Sequence, residues 1–208
     1  MEKIDLKKQQ YKELFVASDK KIAIINVPKV NYLSISGKGD PNISHEYKES
    51  IEALFSVSYS VKFMIKKGEL AVDYGVLPLE GLWWVENMKD FSLDDKSNWL
   101  WKAMIMQPEF IDMNIVKLAI DQVKKKKVLS QIEHMKFEQL SEGLCAQILH
   151  KGPFSEEGPT IEKLHLFIKD NHYQFNGHHH EIYLSDPRRA APDKLKTIIR
   201  QPIQAISK

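Results

Sequence analysis

The sequence predicts an α+β fold of two tandem β-α-β-β units with pseudo-two-fold symmetry, antiparallel sheets, helices on one sheet face and a ligand cleft between the halves. Three observations carry this expectation. A strand, helix, strand, strand pattern occurs twice in 208 residues, a segment of helical period joins the two runs, and short stretches at equivalent places in the runs read alike.

Residues 1–21 are charged, show no sustained period and read as an N-terminal arm ahead of a single domain over 22–208. In the first half, about 22–110, the stretch IAIINVPKVNYLSISGKGDP has a strand pattern. Leu33 and Ile35 share one side and Tyr32 and Ser34 the other, with Pro28, Gly37, Gly39 and Pro41 as punctuation. Ser44 is placed to cap a helix running to about Lys66, with Tyr47, Ile51, Leu54, Phe55, Ser58 and Val61 near one stripe. ELAVDYGVLPL and WLWKAMIMQP read as the next two strands, separated by the loop EGLWWVENMKDFSLDDKSN.

A linking helix lies within about 111–128, with Ile115, Leu118, Ala119 and Val123 on one face and Lys124 to Lys127 at its end, where cations offset the helix dipole. The second half, about 129–208, repeats the order. KFEQLSEGLCAQILHKGPF is strand-like, Ser155 is placed to cap a helix through Ile161, Leu164 and Ile168, and HHHEIYLS and LKTIIRQPI are strands. SISGKGDP corresponds to ILHKGPFS at the strand-to-helix turn, and MIMQP to IIRQPI in the last strand. Each helix covers one sheet face, so pairing two such halves leaves a cleft between them.

A chain with 43% hydrophobic residues can bury a core, and its 30 basic and 28 acidic side chains are nearly balanced. That balance, without helix-turn-helix or zinc-finger spacing, argues against direct nucleic-acid binding. One cysteine, Cys145, excludes an intramolecular disulfide and fits a reducing compartment. The N-terminal MEKIDLKKQQ is too polar for a secretory signal, and no apolar run approaches the roughly 18 residues that span a bilayer. The expectation is a cytoplasmic protein with no membrane partner, monomer or dimer.

The densest chemistry lies in HHHEIYLSDPRR, residues 178–189. Zinc needs three or four converging ligands, whereas His178 and His180 put two on one strand face, so no metal is expected. Cys145 and His150 have the residue types of a thiol nucleophile and its base, but five residues along a strand sets them on opposite faces about 16 Å apart. Gly37 and Gly39 form only a fragment of a phosphate loop, and no cofactor is implied.

Strand alternation places Glu181 with His179 and Tyr183, opposite Ile182 and Leu184. If Ile182 and Leu184 meet the helix, Glu181 points into the cleft; a partly desolvated carboxylate there suits a functional role. The competing reading is a surface glutamate paired with Arg188 or Arg189. Tyr183 is either a hydrogen-bonding phenol or a packing aromatic. Trp83, Trp84, Trp99 and Trp101 are candidates for a flat aromatic wall, with Trp84 in its loop and Trp101 on its strand foremost, and core packing is the alternative. Tyr47, Phe55, Tyr74, His150 and Phe154 could complete the lining.

The two β-α-β-β units, the KGPF turn before the second helix, and EIYLSDP followed by a short basic strand resemble the GyrI-like small-molecule-binding domains over roughly residues 22–205. That family is named for a gyrase inhibitor, and its fold also serves as the effector domain of multidrug-responsive regulators. A stand-alone member with an N-terminal extension and a tryptophan-rich insert is similar to the subgroup that opens cyclopropanoid toxins of the yatakemycin and duocarmycin type with water. The resemblance implies a cofactor-independent hydrolase acting on a small aromatic molecule, with Glu181 as general base and Tyr183 beside it. The alternative it leaves open is a binding protein that sequesters or senses such ligands. Gyrase inhibition follows only from the family name.

Overall fold

The computed structural model describes residues 2–87 and 95–206. In chain order its elements are β1 (Glu2–Ile4), α1 (Lys12–Phe15), β2 (Ala23–Val27), β3 (Val30–Lys38), α2 (His45–Lys67), β4 (Val72–Tyr74), β5 (Leu79–Trp84) and β6 (Leu100–Gln107). There follow α3 (Met113–Lys124), β7 (Lys136–Leu140), β8 (Gly143–Lys151), α4 (Gly158–Asp170), β9 (Tyr173–Phe175), β10 (His179–Tyr183) and β11 (Lys196–Ala205).

Two compact units form: Met1–Gln10 with Val30–Leu140, and Tyr11–Lys29 with Ser141–Lys208. The first contains an antiparallel sheet in the order β5-β6-β3-β7, and a separate parallel pair of β1 and β4. The second contains the antiparallel order β10-β11-β8-β2, with β9 on the C-terminal end of β11. The α+β class and the repeated strand order are as the sequence pattern predicts.

The edge strand of each sheet comes from the other sequence half. β2 precedes β3 in the chain yet pairs with β8, and β7 precedes β8 yet pairs with β3. Pro28 and Lys29 separate β2 from β3, and proline cannot donate to a ladder, so the long first strand pattern divides there.

The predicted N-terminal arm is folded over its described residues, 2–21. β1 pairs with β4, Leu6, Tyr11, Leu14 and Phe15 are buried, and the Leu14 carbonyl accepts from Arg200 Nη2 at 2.7 Å. No helix among the described residues is long and apolar enough to cross a membrane.

Ser44 caps α2 as predicted: its Oγ accepts from the Tyr47 amide at 3.1 Å. Tyr47, Leu54, Val57, Ser58 and Val61 are buried, and Gln107 Nε2 donates to Ser58 Oγ at 3.2 Å, so α2 lies on the sheet face that carries Gln107, Ile105, Ala103 and Trp101.

Two helix details differ from expectation. On α3, capped by Asp112, the buried stripe is Val116, Ala119 and Val123, and Leu118 is 61% exposed, because the true stripe is turned by one residue. On α4, Ser155 lies in a 3-10 turn, Phe154–Glu156, and the helix starts at Gly158 with Pro159 preset in its first turn. Leu164 and Ile168 of α4 pack into a core with Ala146, Ile148, Ile199 and Ile203, each leucine or isoleucine contributing about 1.5–3 kcal/mol by burial.

Candidate functional site

The sheet register assigns the faces of β10. Glu181 lies opposite Ile199, which lies opposite Ile148, and Tyr183 lies opposite Thr197, which lies opposite His150. Cross-strand partners share a face. Since Ile199 and Ile148 pack against α4, Glu181 and Tyr183 stand on the helix-bearing face. The expectation that Ile182 and Leu184 meet the helix is therefore corrected: Ile182 is on the reverse face, and Leu184 lies beyond the end of β10.

Around Glu181 the geometry is specific. One carboxylate oxygen lies 3.1 Å from His179 Nε2, and the other accepts from the Tyr183 hydroxyl at 2.7 Å. The Glu181 side chain is 14% exposed and that of His179 19%. Phe154 meets Tyr183 edge-on, with ring centroids 5.5 Å apart. Burial works to raise the Glu181 pKa, but the hydrogen bond and charge of His179, the Tyr183 hydroxyl and the charge of His180 outweigh it and hold the carboxyl below the usual range. The result is an ionised, fixed and mostly desolvated carboxylate.

The surface-pair reading of Glu181 is replaced by this arrangement. Asp186 takes Arg188 at 2.9 Å and Arg189 at 3.9 Å.

His150 belongs to the turn. Its Nε2 lies 3.2 Å from the Pro153 carbonyl, which only accepts, so Nε2 carries the proton and Nδ1, at 3.0 Å, accepts from the Thr160 hydroxyl. Gly152, at φ +129°, closes the same turn in a conformation that favours glycine.

On the reverse face of β10 lies a buried polar network. His180 Nδ1 sits 3.0 Å from both Glu142 oxygens, and Arg200 reaches Glu142 at 3.4 Å and Gln147 at 3.1 Å. Burial pushes the Glu142 pKa up, but the charges and hydrogen bonds of His180 and Arg200 bring it down to about 2. No sequence signal marks this group, because its members are brought together only by strand pairing.

His179 and His180 thus lie on opposite faces, each facing a different glutamate. Among the described residues no three His, Cys, Asp or Glu side chains are grouped to hold a metal ion. Cys145 is buried, which pushes its thiol up to about 12, away from nucleophilic use.

The aromatic candidates of the first unit fall in four places. Tyr47, Trp83, Trp99 and Trp101 come together: Tyr47 lies 4.9 Å from Trp101 and 5.6 Å from Trp83, and Trp99 lies 6.0 Å from Trp83. Trp101 is 0% exposed and occupies a core position. Gly37 opposite it makes room, since a Cβ there would stand 2.3 Å from the indole. Trp84 lies on β5, not in the predicted loop, on the face opposite Trp83, and is half-buried. Phe55 stacks on Tyr59 along α2, and Tyr74 is buried against Phe110, with its phenol pKa raised by that burial.

Comparison with known proteins places the chain in a family. The model of a family described as the GyrI-like small molecule binding domain matches residues 20–204. A crystal structure of an uncharacterized conserved protein from Listeria innocua is 38% identical with a TM-score of 0.88, covering 97% of this chain and 100% of that one. A hydrolase from Listeria innocua is also 38% identical, with a TM-score of 0.86 over 98% and 100%. A further structure of a hydrolase from that organism is 35% identical, with a TM-score of 0.83 over 97% and 100%. No curated protein matches the chain.

Proposed function

We propose, from the premise that the chain belongs to the family of GyrI-like small-molecule-binding domains, that it is a cofactor-independent hydrolase of flat aromatic electrophiles of the cyclopropanoid toxin type. The observation that carries this reading is Glu181: an ionised carboxylate, 14% exposed, with one hydrogen bond on each oxygen. The hydrolase names of the two Listeria innocua relatives support the enzyme class.

In the reaction Glu181 takes a proton from water as the water oxygen forms a bond to the cyclopropane carbon. The ring C–C bond breaks, and its electron pair passes into the conjugated dienone, giving a phenolate that takes up a proton. The product is the substrate plus one water. General-base assistance of this kind is worth about 10²- to 10⁴-fold. The Tyr183 hydroxyl orients the carboxylate, and Phe154, 42% exposed, meets the Tyr183 ring. In the first unit, Trp84 and Trp99 are each partly exposed, whereas Trp101 is a core residue.

The same carboxylate beside aromatic rings also suits capture of a cationic aromatic ligand without chemistry. A mass-spectrometric time course of a cyclopropanoid toxin with substoichiometric protein in ¹⁸O-water separates the two. Many turnovers with one label per product are expected of the hydrolase; unchanged toxin, protected one molecule per protein, would establish the binding protein instead.

A further inference from the structure

Glu181 is held from both sides by donors of different kinds. Tyr183 offers a neutral hydroxyl at 2.7 Å to one oxygen, and His179 brings an imidazole nitrogen to within 3.1 Å of the other. All three side chains project from the same face of β10, two residues apart, so the strand itself sets their spacing. A carboxylate only accepts, so His179 Nε2 must carry a proton in this contact. That proton removes Nε2 from metal ligation and gives the histidine run a different meaning.

We infer that His179 is the positioning residue of this site: its Nε2–H fixes one Glu181 oxygen as the Tyr183 hydroxyl fixes the other, leaving each oxygen one lone pair in a set direction toward a bound small molecule. The inference rests on the reading of Glu181 as the working carboxylate. Without His179 the carboxyl keeps its burial and loses its stronger partner, so it takes up protons more readily. The groups facing His179 are few. Its own strand brings Glu181 and Tyr183, with His180 on the reverse side; α4 brings His165, whose pKa is lowered by burial and by the charge of His179; on β11, Ile199 lies opposite Glu181 and Thr197 opposite Tyr183, and neither titrates.

Three measurements test the inference. In the wild-type protein, two-dimensional ¹⁵N correlation through the imidazole ring should show His179 Nε2 protonated at neutral pH. An unprotonated Nε2 would overturn the proposal with no variant needed. Without any substrate, the ¹³C titration of the Glu181 carboxyl, identified by its loss in Glu181→Gln, should move in His179→Phe toward about tenfold higher proton affinity, and by less in His179→Gln, which keeps a donor. An unchanged titration in folded His179→Phe would sink the idea. With toxin, the acid limb of the rate profile should shift by the same factor as the carboxyl titration. If the titration shifts and neither wild type nor variant turns over toxin, positioning stands and the hydrolase reading fails. If turnover is normal and the titration is unmoved, the hydrolase reading stands and positioning fails.

Discussion

The two units use the same three-strand lattice and fill it differently. Aligned on Lys38-Gly39 and Lys151-Gly152, where both glycines have positive φ, the row Trp83–Trp101–Gly37 corresponds to Tyr183–Thr197–His150. The next row, Gly81–Ala103–Ile35, corresponds to Glu181–Ile199–Ile148. Where the first unit places a glycine, the second places the carboxylate; where the first packs an indole over a glycine, the second packs a phenol beside a hydroxyl and an imidazole. A repeated frame has been kept while only one copy carries titratable chemistry on its helix-bearing row. The difference shows that the frame forms without an acid at the equivalent position, Gly81, in the first unit.

The largest expected effect breaks this asymmetry directly. Glu181→Gln makes the second row as uncharged as the first, and turnover of a cyclopropanoid toxin should fall about 10²- to 10⁴-fold while tryptophan-quenching titrations still report binding. Wild-type rates in the variant would remove the general-base role.

Next in size is the acid stability contributed by Glu142 in the second unit. Glu142 has a folded pKa of about 2 against an ordinary 4.5. Its contribution is fully present above the unfolded value and is lost as pH falls from there through the folded one, because the unfolded state binds the proton first. For a side chain 5% exposed this amounts to on the order of 3 kcal/mol, so urea midpoints measured from pH 6 to 2.5 should fall, and Glu142→Gln should flatten that fall.

The first unit offers a test of shape. Gly37→Ala sets a methyl against the Trp101 indole and should cost about 1–3 kcal/mol by denaturant unfolding, with no pH dependence. A variant as stable as wild type would show that the indole can shift. The smallest effect is Leu118→Ser on the exposed side of α3: within about 0.5 kcal/mol in the same assay, where burial of Leu118 would have predicted several times more.

Much of this was legible in the sequence where the signal is local. The Ser44 cap, the α2 stripe around Leu54 and Val61, the twofold repeat and the grouping of His179, Glu181 and Tyr183 on one face all follow from spacing along the chain. The helix-bearing face of β10 was not legible, because its fully buried apolar residue, Ile182, lies on the reverse face, and the neighbouring β11 buries both of its faces, Ile198 and Ile199 alike. Nor could spacing pair His180 with Glu142 or set β2 beside β8, since those contacts join residues far apart in the chain and are chosen by the sheet as a whole.

The exchanged edge strands also have a consequence for synthesis. β2 leaves the ribosome roughly 120 residues before the β8 strand it must pair with, an interval of about 6–24 s at ordinary elongation rates. During that time its backbone donors and acceptors have no ladder to join, while β3, α2 and β6 already have most of their partners. The nascent chain must therefore carry an open edge through most of its translation, and the second unit can close only after the first has been made.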